Sequence, residues 1–144
     1  MISLDSNKLI YRPIKEIFEF ISATENDFQW QYGTLASGQI TEGVARVGAF
    51  FRSIGHFMGR RMESTFEITE YEPARKYGFK SLSGPIHSQT LYTFEITGGA
   101  TKINVSMQAS AVNLLQVPEG MLEKQMKKQL KENLEMLKNI LEAQ

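Results

Sequence analysis

The sequence predicts an α+β fold of about seven antiparallel strands in one sheet, set against a long C-terminal helix. Three observations lead there. Between Tyr32 and about Val112 the apolar residues recur with period two, broken by short turn segments. From Pro118 the period changes to three and four. The strand registers that the turns impose also agree with one another on which sheet face is apolar.

The chain begins with a strand and passes into a helix at Pro13, a residue suited to a first helical turn. Ile14, Ile17, Phe18 and Ile21 follow at helical spacing. "ATENDFQW" reads as a second short helix with Thr24 as its cap. Five turn segments then divide the period-two region into about six strands: "TEG", "GHFMG", "YEPAR", "LSGPI" and "TGGAT". In the last segment Leu122, Met126, Leu130, Leu134, Leu137 and Leu141 form one stripe. A helix of about 25 residues there would be about 38 Å long.

Two-residue loops fix which residues face each other across a hairpin. A loop on Gly98–Gly99 sets Phe94 against Ile103, Tyr92 against Val105 and Glu95 against Lys102. A loop on Pro73–Ala74 sets Ile68 against Phe79, Glu67 against Lys80 and Glu70 against Tyr77. A loop on Gly84–Pro85 sets Phe79 against Thr90 and Tyr77 against Tyr92. A loop on Phe57–Met58 sets Arg52 against Glu63 and Ser53 against Met62.

The inner face then reads in rows. Glu70, Tyr77, Tyr92 and Val105 lie at one end, followed by Ile68, Phe79, Thr90 and Met107. Next come Phe66, Ser81, Ser88 and Ala109, and last Ser64, Ser83, Ile86 and Ala111. Bulk falls toward the end that carries "GHFMG", "LSGPI" and "AVNLLQVP", and these loops hold Phe57, Met58, Ile86, Leu114, Leu115 and Val117. Either those residues plug the core, or they line the mouth of an apolar cavity above small hydroxyl side chains. Met suits irregular contact because it is flexible and polarisable.

Composition bounds the function. The 144 residues are 42% hydrophobic and 22% charged, which suits one ordinary domain spanning 1–144. Lys+Arg and Asp+Glu number 16 each, so no net field gathers nucleic acid. Cysteine is absent, which excludes thiolate metal sites and cysteine nucleophiles. No run approaches the roughly 20 apolar residues of a membrane span, and "MISLDSNKLI" is not a signal peptide. The expectation is a cytoplasmic protein with no transmembrane segment.

The order of elements resembles the helix-grip fold. The chain is also similar to the polyketide cyclase/dehydrase and lipid-transport family of the START-like, pollen-allergen-like superfamily. The residues that carry the likeness are "IYRPIKEIFEFIS", "TENDFQW", "GVARVGAFF", "GRRMESTFEITEYEPARKYGFKSLSG", "TFEITGGATKINV" and "LKENLEMLKNILE". The resemblance implies a curved sheet wrapped around the last helix, enclosing a cavity for a small hydrophobic ligand: a lipid, polyketide or aromatic compound. It places gate-like loops at "GHFMG" and "LSGPI".

The ligand-binding expectation falls on Phe57, Met58, Ser64, Phe66, Phe79, Ser81, Ser88, Thr90, Tyr92, Met107, Leu115, Met126 and Leu130. If the chain is instead a cyclase or dehydratase, His56 is the first acid/base candidate, because imidazole titrates near neutrality, and Glu70 the second. The plainer readings are a solvated loop histidine and a rim carboxylate. His87 has outward parity. No metal or cofactor is expected: two separated histidines make no zinc motif, and no phosphate loop or dinucleotide fingerprint occurs. Trp30 reads as a core anchor or cavity wall whose ring N–H needs a partner. Lys124, Lys127, Lys128 and Lys131 form one side of the last helix. Either they are a solvated face paired with Glu123, Glu132 and Glu135, or they touch an anionic membrane transiently. A third reading makes the apolar loop end a contact for a protein or membrane.

Overall fold

The computed structural model describes residues 1–111 and 117–144. Strand β1 spans Ile2–Ile10 and helix α1 spans Ile14–Ser22. A 3₁₀ turn, Thr24–Asn26, leads into the single-turn α2, Asp27–Trp30. Six strands follow: β2 Thr34–Gln39, β3 Phe50–Phe57, β4 Arg60–Glu72, β5 Lys76–Ser83, β6 Ile86–Thr97 and β7 Ala100–Ala111. Helix α3, Glu119–Glu142, closes the chain. The seven strands form one antiparallel sheet in the order β1-β7-β6-β5-β4-β3-β2. This is a helix-grip arrangement, with the short helices after strand one and the long helix on the sheet's inner face.

The core follows from the two periodicities. On α3, Leu122, Leu130, Leu134, Leu137 and Leu141 are buried, while Met126 is half-buried. They meet Ile2 and Leu4 of β1, Ile103 and Val105 of β7, and the aromatic rows of β4–β6 in one cluster. Ile17, Phe18 and Ile21 of α1 join it, with Phe18 set edge-on to Tyr71 and Phe94 at 5.4 Å. Polar contacts tie the far half of α3 to β1 and the turn after it. Glu135 pairs with Lys8, Lys138 donates to the Leu9 carbonyl at 3.0 Å, and Glu142 accepts from the Tyr11 N–H at 3.0 Å. Among the described residues the helix does not form its expected Glu123–Lys127, Lys128–Glu132 or Lys131–Glu135 pairs; Glu135 goes to Lys8 instead.

The β5–β6 and β6–β7 registers stand as the sequence predicts, and the β4–β5 register does so at Glu67 and Ile68. Phe94 faces Ile103, Tyr92 faces Val105 and Glu95 faces Lys102. Ile68 faces Phe79 and Glu67 faces Lys80. Phe79 faces Thr90 and Tyr77 faces Tyr92.

Two details differ, for identifiable reasons. The β3–β4 turn is Met58–Gly59, one residue further along than expected. Both residues have positive φ (52° and 79°), the backbone of a two-residue turn matched to strand twist. Arg52 therefore faces Thr65 and Ser53 faces Ser64, a two-residue slide that keeps every side chain on its face. Arg52 still reaches Glu63 diagonally, at 3.4 Å. His56 and Phe57 are thus strand residues, not loop residues.

The second difference is at the β4–β5 connection, which is Pro73–Arg75, three residues rather than two, with Ala74 at φ 62°. The extra residue is offset by a bulge at Thr69, so Ile68 keeps its partner while Tyr71, not Glu70, faces Tyr77. Glu70 is turned opposite Gly78, on the outer face. Leu82 is a further bulged residue, which moves Ser83 from Ser64 to Thr65.

Thr24 is buried as the first residue of the 3₁₀ turn, not its cap; Ala23 holds the cap position. The chain then crosses β3 closely. A Cβ on Gly33 would lie 2.1 Å from the His56 carbonyl oxygen, and Gly33 has φ 80°. Gly33→Ala should therefore lose more than the roughly 1–2 kcal/mol of left-handed backbone strain alone, read as a lowered denaturation midpoint. A midpoint equal to that of the unmodified protein would show that the crossing relaxes freely.

Candidate functional site

The space between sheet and α3 is not filled at the end where the sequence runs to small side chains. A cavity of about 230 Å³ lies there. Its apolar wall comes from Met62 and Phe66 of β4, Met107 of β7, and Met126 and Leu130 of α3. Its polar wall comes from Ser53 of β3, Ser64 of β4, Tyr92 of β6 and Gln129 of α3. Tyr32, His56 and Phe57 stand at the rim, where Tyr32 and His56 are exposed. The Tyr32 N–H donates to the Asn133 side-chain oxygen at 2.9 Å, which ties the connection after α2 to α3 at the cavity. Among the described lining residues there is no Lys, Arg, Asp or Glu.

The cavity brings together much of the predicted set. Phe57, Ser64, Phe66, Tyr92, Met107, Met126 and Leu130 line it, with Ile86 from the start of β6. Met58 packs against the core from the turn without lining the space. Phe79 and Thr90 have inner positions but lie within the packed layer: Phe79 meets Phe51 and Phe66 edge-on at 5.2 and 5.4 Å, and Thr90 is buried. Ser81 and Ser88 are elsewhere. Beyond Lys80–Gln89 the β5–β6 ladder ends, and the Ser81 hydroxyl accepts the Ser88 N–H at 2.9 Å in place of a ladder bond. Leu115, with Leu114, lies outside the described residues.

The two acid/base candidates do not meet. His56 alternates to the face opposite Phe51 and Phe57, and its side chain is exposed beside Arg61. Glu70 borders an outer hollow of about 390 Å³ with Thr69, Gln89, Leu91, Ser106 and Gln108. One carboxylate oxygen of Glu70 is buried with no partner among the described residues. Unlike the cavity at α3, that hollow has a carboxylate in its wall, so it offers an apolar ligand less.

Sequence reading missed Asp27. It is 8% exposed and lies in the short helix beside the cavity. Burial, reinforced by the nearby Glu25 charge and opposed by a hydrogen bond to Ser37, pushes its carboxyl up to about 8. Ser37 in turn is 3.0 Å, hydroxyl to hydroxyl, from Ser53, which lines the cavity. Burial also raises the phenols of Tyr77 and Tyr92, with the Asp27 charge adding to it. Tyr92 stacks on Tyr77 at 6.3 Å and receives Trp30 edge-on at 6.3 Å. The Tyr77 hydroxyl and the Trp30 ring N–H are buried and have no partner among the described residues. Asp27 has no signature in "TEND", a polar run that reads as surface.

The family model described as "Polyketide cyclase / dehydrase and lipid transport" matches residues 1–142. The chain belongs to that family. No curated protein matches it. Solved structures share its fold across nearly all of its length. A START superfamily protein from Mycobacterium smegmatis superposes with a TM-score of 0.82 at 14% identity, covering 98% of this chain and 97% of that one. TTHA0849 from Thermus thermophilus gives 0.82 at 15% identity, with the same coverage. The di-domain ARO/CYC BexL of the BE-7585A biosynthetic pathway gives 0.76 at 16% identity, covering 99% of this chain and 47% of that one. At such identities the likeness is one of fold. Membership in the polyketide cyclase/dehydrase and lipid transport family is consistent with hydrophobic-ligand binding. Among the described residues, no helix is long and apolar enough to cross a membrane. Lys124, Lys127, Lys128 and Lys131 are all exposed on α3.

Proposed function

We propose that this chain binds a small hydrophobic molecule, of the lipid, polyketide or aromatic class, in the cavity between sheet and α3. The observation that carries the reading is the lining: methionine, leucine and phenylalanine side chains around about 230 Å³, with a few polar groups and no Lys, Arg, Asp or Glu among the described lining residues. Ligand pockets are usually built this way, and the volume is just below the ~300–1,000 Å³ of drug-sized sites, which favours a compact ligand. Three methionines in the wall can adjust to ligands of different outline.

The cyclase or dehydratase reading would need its acid/base group at the ligand. His56 and Glu70 are the candidates, and both side chains have outer-face positions, which is why binding is preferred. The interaction-module reading draws on a filled interior, and the space at α3 speaks against it.

The test is obstruction. Met126→Trp and Met62→Trp add bulk from opposite walls. With folding checked by circular dichroism, each should weaken binding of the neutral fluorophore N-phenyl-naphthylamine by about tenfold or more. Undiminished binding by both variants, or none by the unmodified protein, would remove the reading.

A further inference from the structure

We propose that the bound molecule carries a single hydrocarbon chain, which leaves the cavity between Tyr32 and Asn133 and lies in a second hollow on the surface beside α2 and α3. This rests on the reading of the cavity as a ligand site and adds the ligand's shape.

The second hollow has a volume of about 250 Å³. Phe28 and Trp30 of α2, Tyr32 after it, and Met136 of α3 give it apolar walls. Phe28, Tyr32 and Met136 are 56%, 65% and 47% exposed. Large apolar side chains gathered around one surface hollow are unfavourably hydrated until something covers them. Glu132, in the same wall, is exposed and keeps its hydration.

Continuity with the cavity identifies the occupant. Gln31, Tyr32, Gly33, Thr34 and Asn133 line both spaces, so segment 31–34 and Asn133 form a partition between them. Trp30 of the hollow stands edge-on to Tyr92 of the cavity, with ring centroids 6.3 Å apart, so aromatic surface runs from one space to the other. Alone, the cavity is smaller than the ~300 Å³ at which drug-sized sites begin; with the hollow added it exceeds that bound.

The partition is fixed on one side and lightly fastened on the other. Toward β3, the Gly33 carbonyl accepts the His56 N–H at 2.8 Å. The close crossing of Gly33 over the His56 carbonyl holds the same point. Toward α3, the Tyr32 N–H donates to the Asn133 side-chain oxygen at 2.9 Å. Tyr32 is exposed, so water replaces that bond when it opens, and its release costs little. With Gly33 held, only Gln31 and Tyr32 swing away from the helix. Such a gap passes one extended chain, not a ring system or a pair of chains.

The experiment compares n-octanol, which the cavity alone accommodates, with n-tetradecanol, which reaches the hollow. Both are uncharged, and both are read by displacement of N-phenyl-naphthylamine. A fully covered methylene tightens binding about fourfold, so the added methylenes, half-covered in the hollow, should make tetradecanol about thirtyfold tighter than octanol. Phe28→Asp and Met136→Asp put a charge in the hollow at exposed positions outside the cavity lining. With folding checked by circular dichroism, each should weaken tetradecanol about tenfold and leave octanol unchanged, and either variant suffices if the other folds poorly. Asn133→Ala removes the fastening and should tighten tetradecanol about threefold, a gain that mere structural damage would not give. The inference is overturned, while the binding function stands, if octanol binds and tetradecanol gains nothing over it. It is equally overturned if the two Asp variants weaken both alcohols alike or neither, or if Asn133→Ala does not favour tetradecanol. If neither alcohol nor N-phenyl-naphthylamine binds, the binding function fails and takes this inference with it.

Discussion

Asp27→Asn should stabilise the protein, and the gain should grow steeply with pH. The Asp27 carboxyl holds its proton to about 8 in the folded chain, against an ordinary value of 3.8 when exposed. Below that ordinary value both states are protonated and the group contributes no pH dependence. Between the two values the unfolded chain has released the proton and the folded chain has not. Folded protein then binds more protons than unfolded protein, so stability falls as pH rises, by up to about 1.4 kcal/mol per pH unit. Above about 8 both states are ionised and the curve levels. Across the window the loss amounts to several kcal/mol, a large part of the roughly 5–15 kcal/mol that stabilises a typical domain. Asparagine has the same shape, can keep a bond to Ser37 and has no proton to lose. Urea denaturation of both proteins at intervals from about pH 4 to pH 9 reads the difference directly, because all other titrating groups cancel. The two curves should coincide near pH 4 and diverge up to about pH 8. Parallel curves would mean that Asp27 is solvated in the folded protein. Glu25→Gln supplies an independent check, since removing that neighbouring charge should lower the upper end of the window.

What the sequence made legible, and what it did not, follows from the range of the interactions involved. Hairpin pairings such as Phe94–Ile103 and Ile68–Phe79 were readable because short loops transmit register directly and side-chain alternation checks it. The α3 stripe was readable because a helix records its buried side every three or four residues. The β3–β4 turn slid because "GHFMG" offers more than one placement, and only backbone conformation decides that Met58 and Gly59 carry the positive φ. The Thr69 bulge was invisible because a two-residue loop, and a three-residue loop with a bulge, give the same pairing at Ile68. That ambiguity sent Glu70 to the wrong face. Asp27 is the hardest case. Its burial is made by packing α2 against β2 and α3, contacts with no local trace in "TEND". The cavity was half legible: small residues at one end were evident, and Ser53 was placed on the inner face, yet Ser81 and Ser88 fell where the β5–β6 ladder parts, and Gln129 reached the space unanticipated.

Leu137→Ala should destabilise strongly, and Met126→Ala only weakly, because the two ends of α3 have different work. Leu134, Leu137 and Leu141 are 1%, 0% and 0% exposed, so truncating any of them leaves a void in close-packed surroundings. Such truncations cost about 2–5 kcal/mol. The same half of the helix is fastened to β1 and the turn after it through Glu135, Lys138 and Glu142, so it cannot readily shift to close the void. Met126 is one helical stretch earlier, half-buried, and already borders empty space. Removing its side chain enlarges an existing cavity instead of opening a new one, and should cost less than about 1.5 kcal/mol. Its effect should appear in binding: Met126→Ala should admit a bulkier fluorophore than the unmodified protein accepts. Denaturation midpoints and probe titrations on the two variants separate stability from binding. Equal stability losses from the two substitutions would show that α3 is packed evenly along its length. The helix would then serve the core throughout, and the space above Met126 would close in solution.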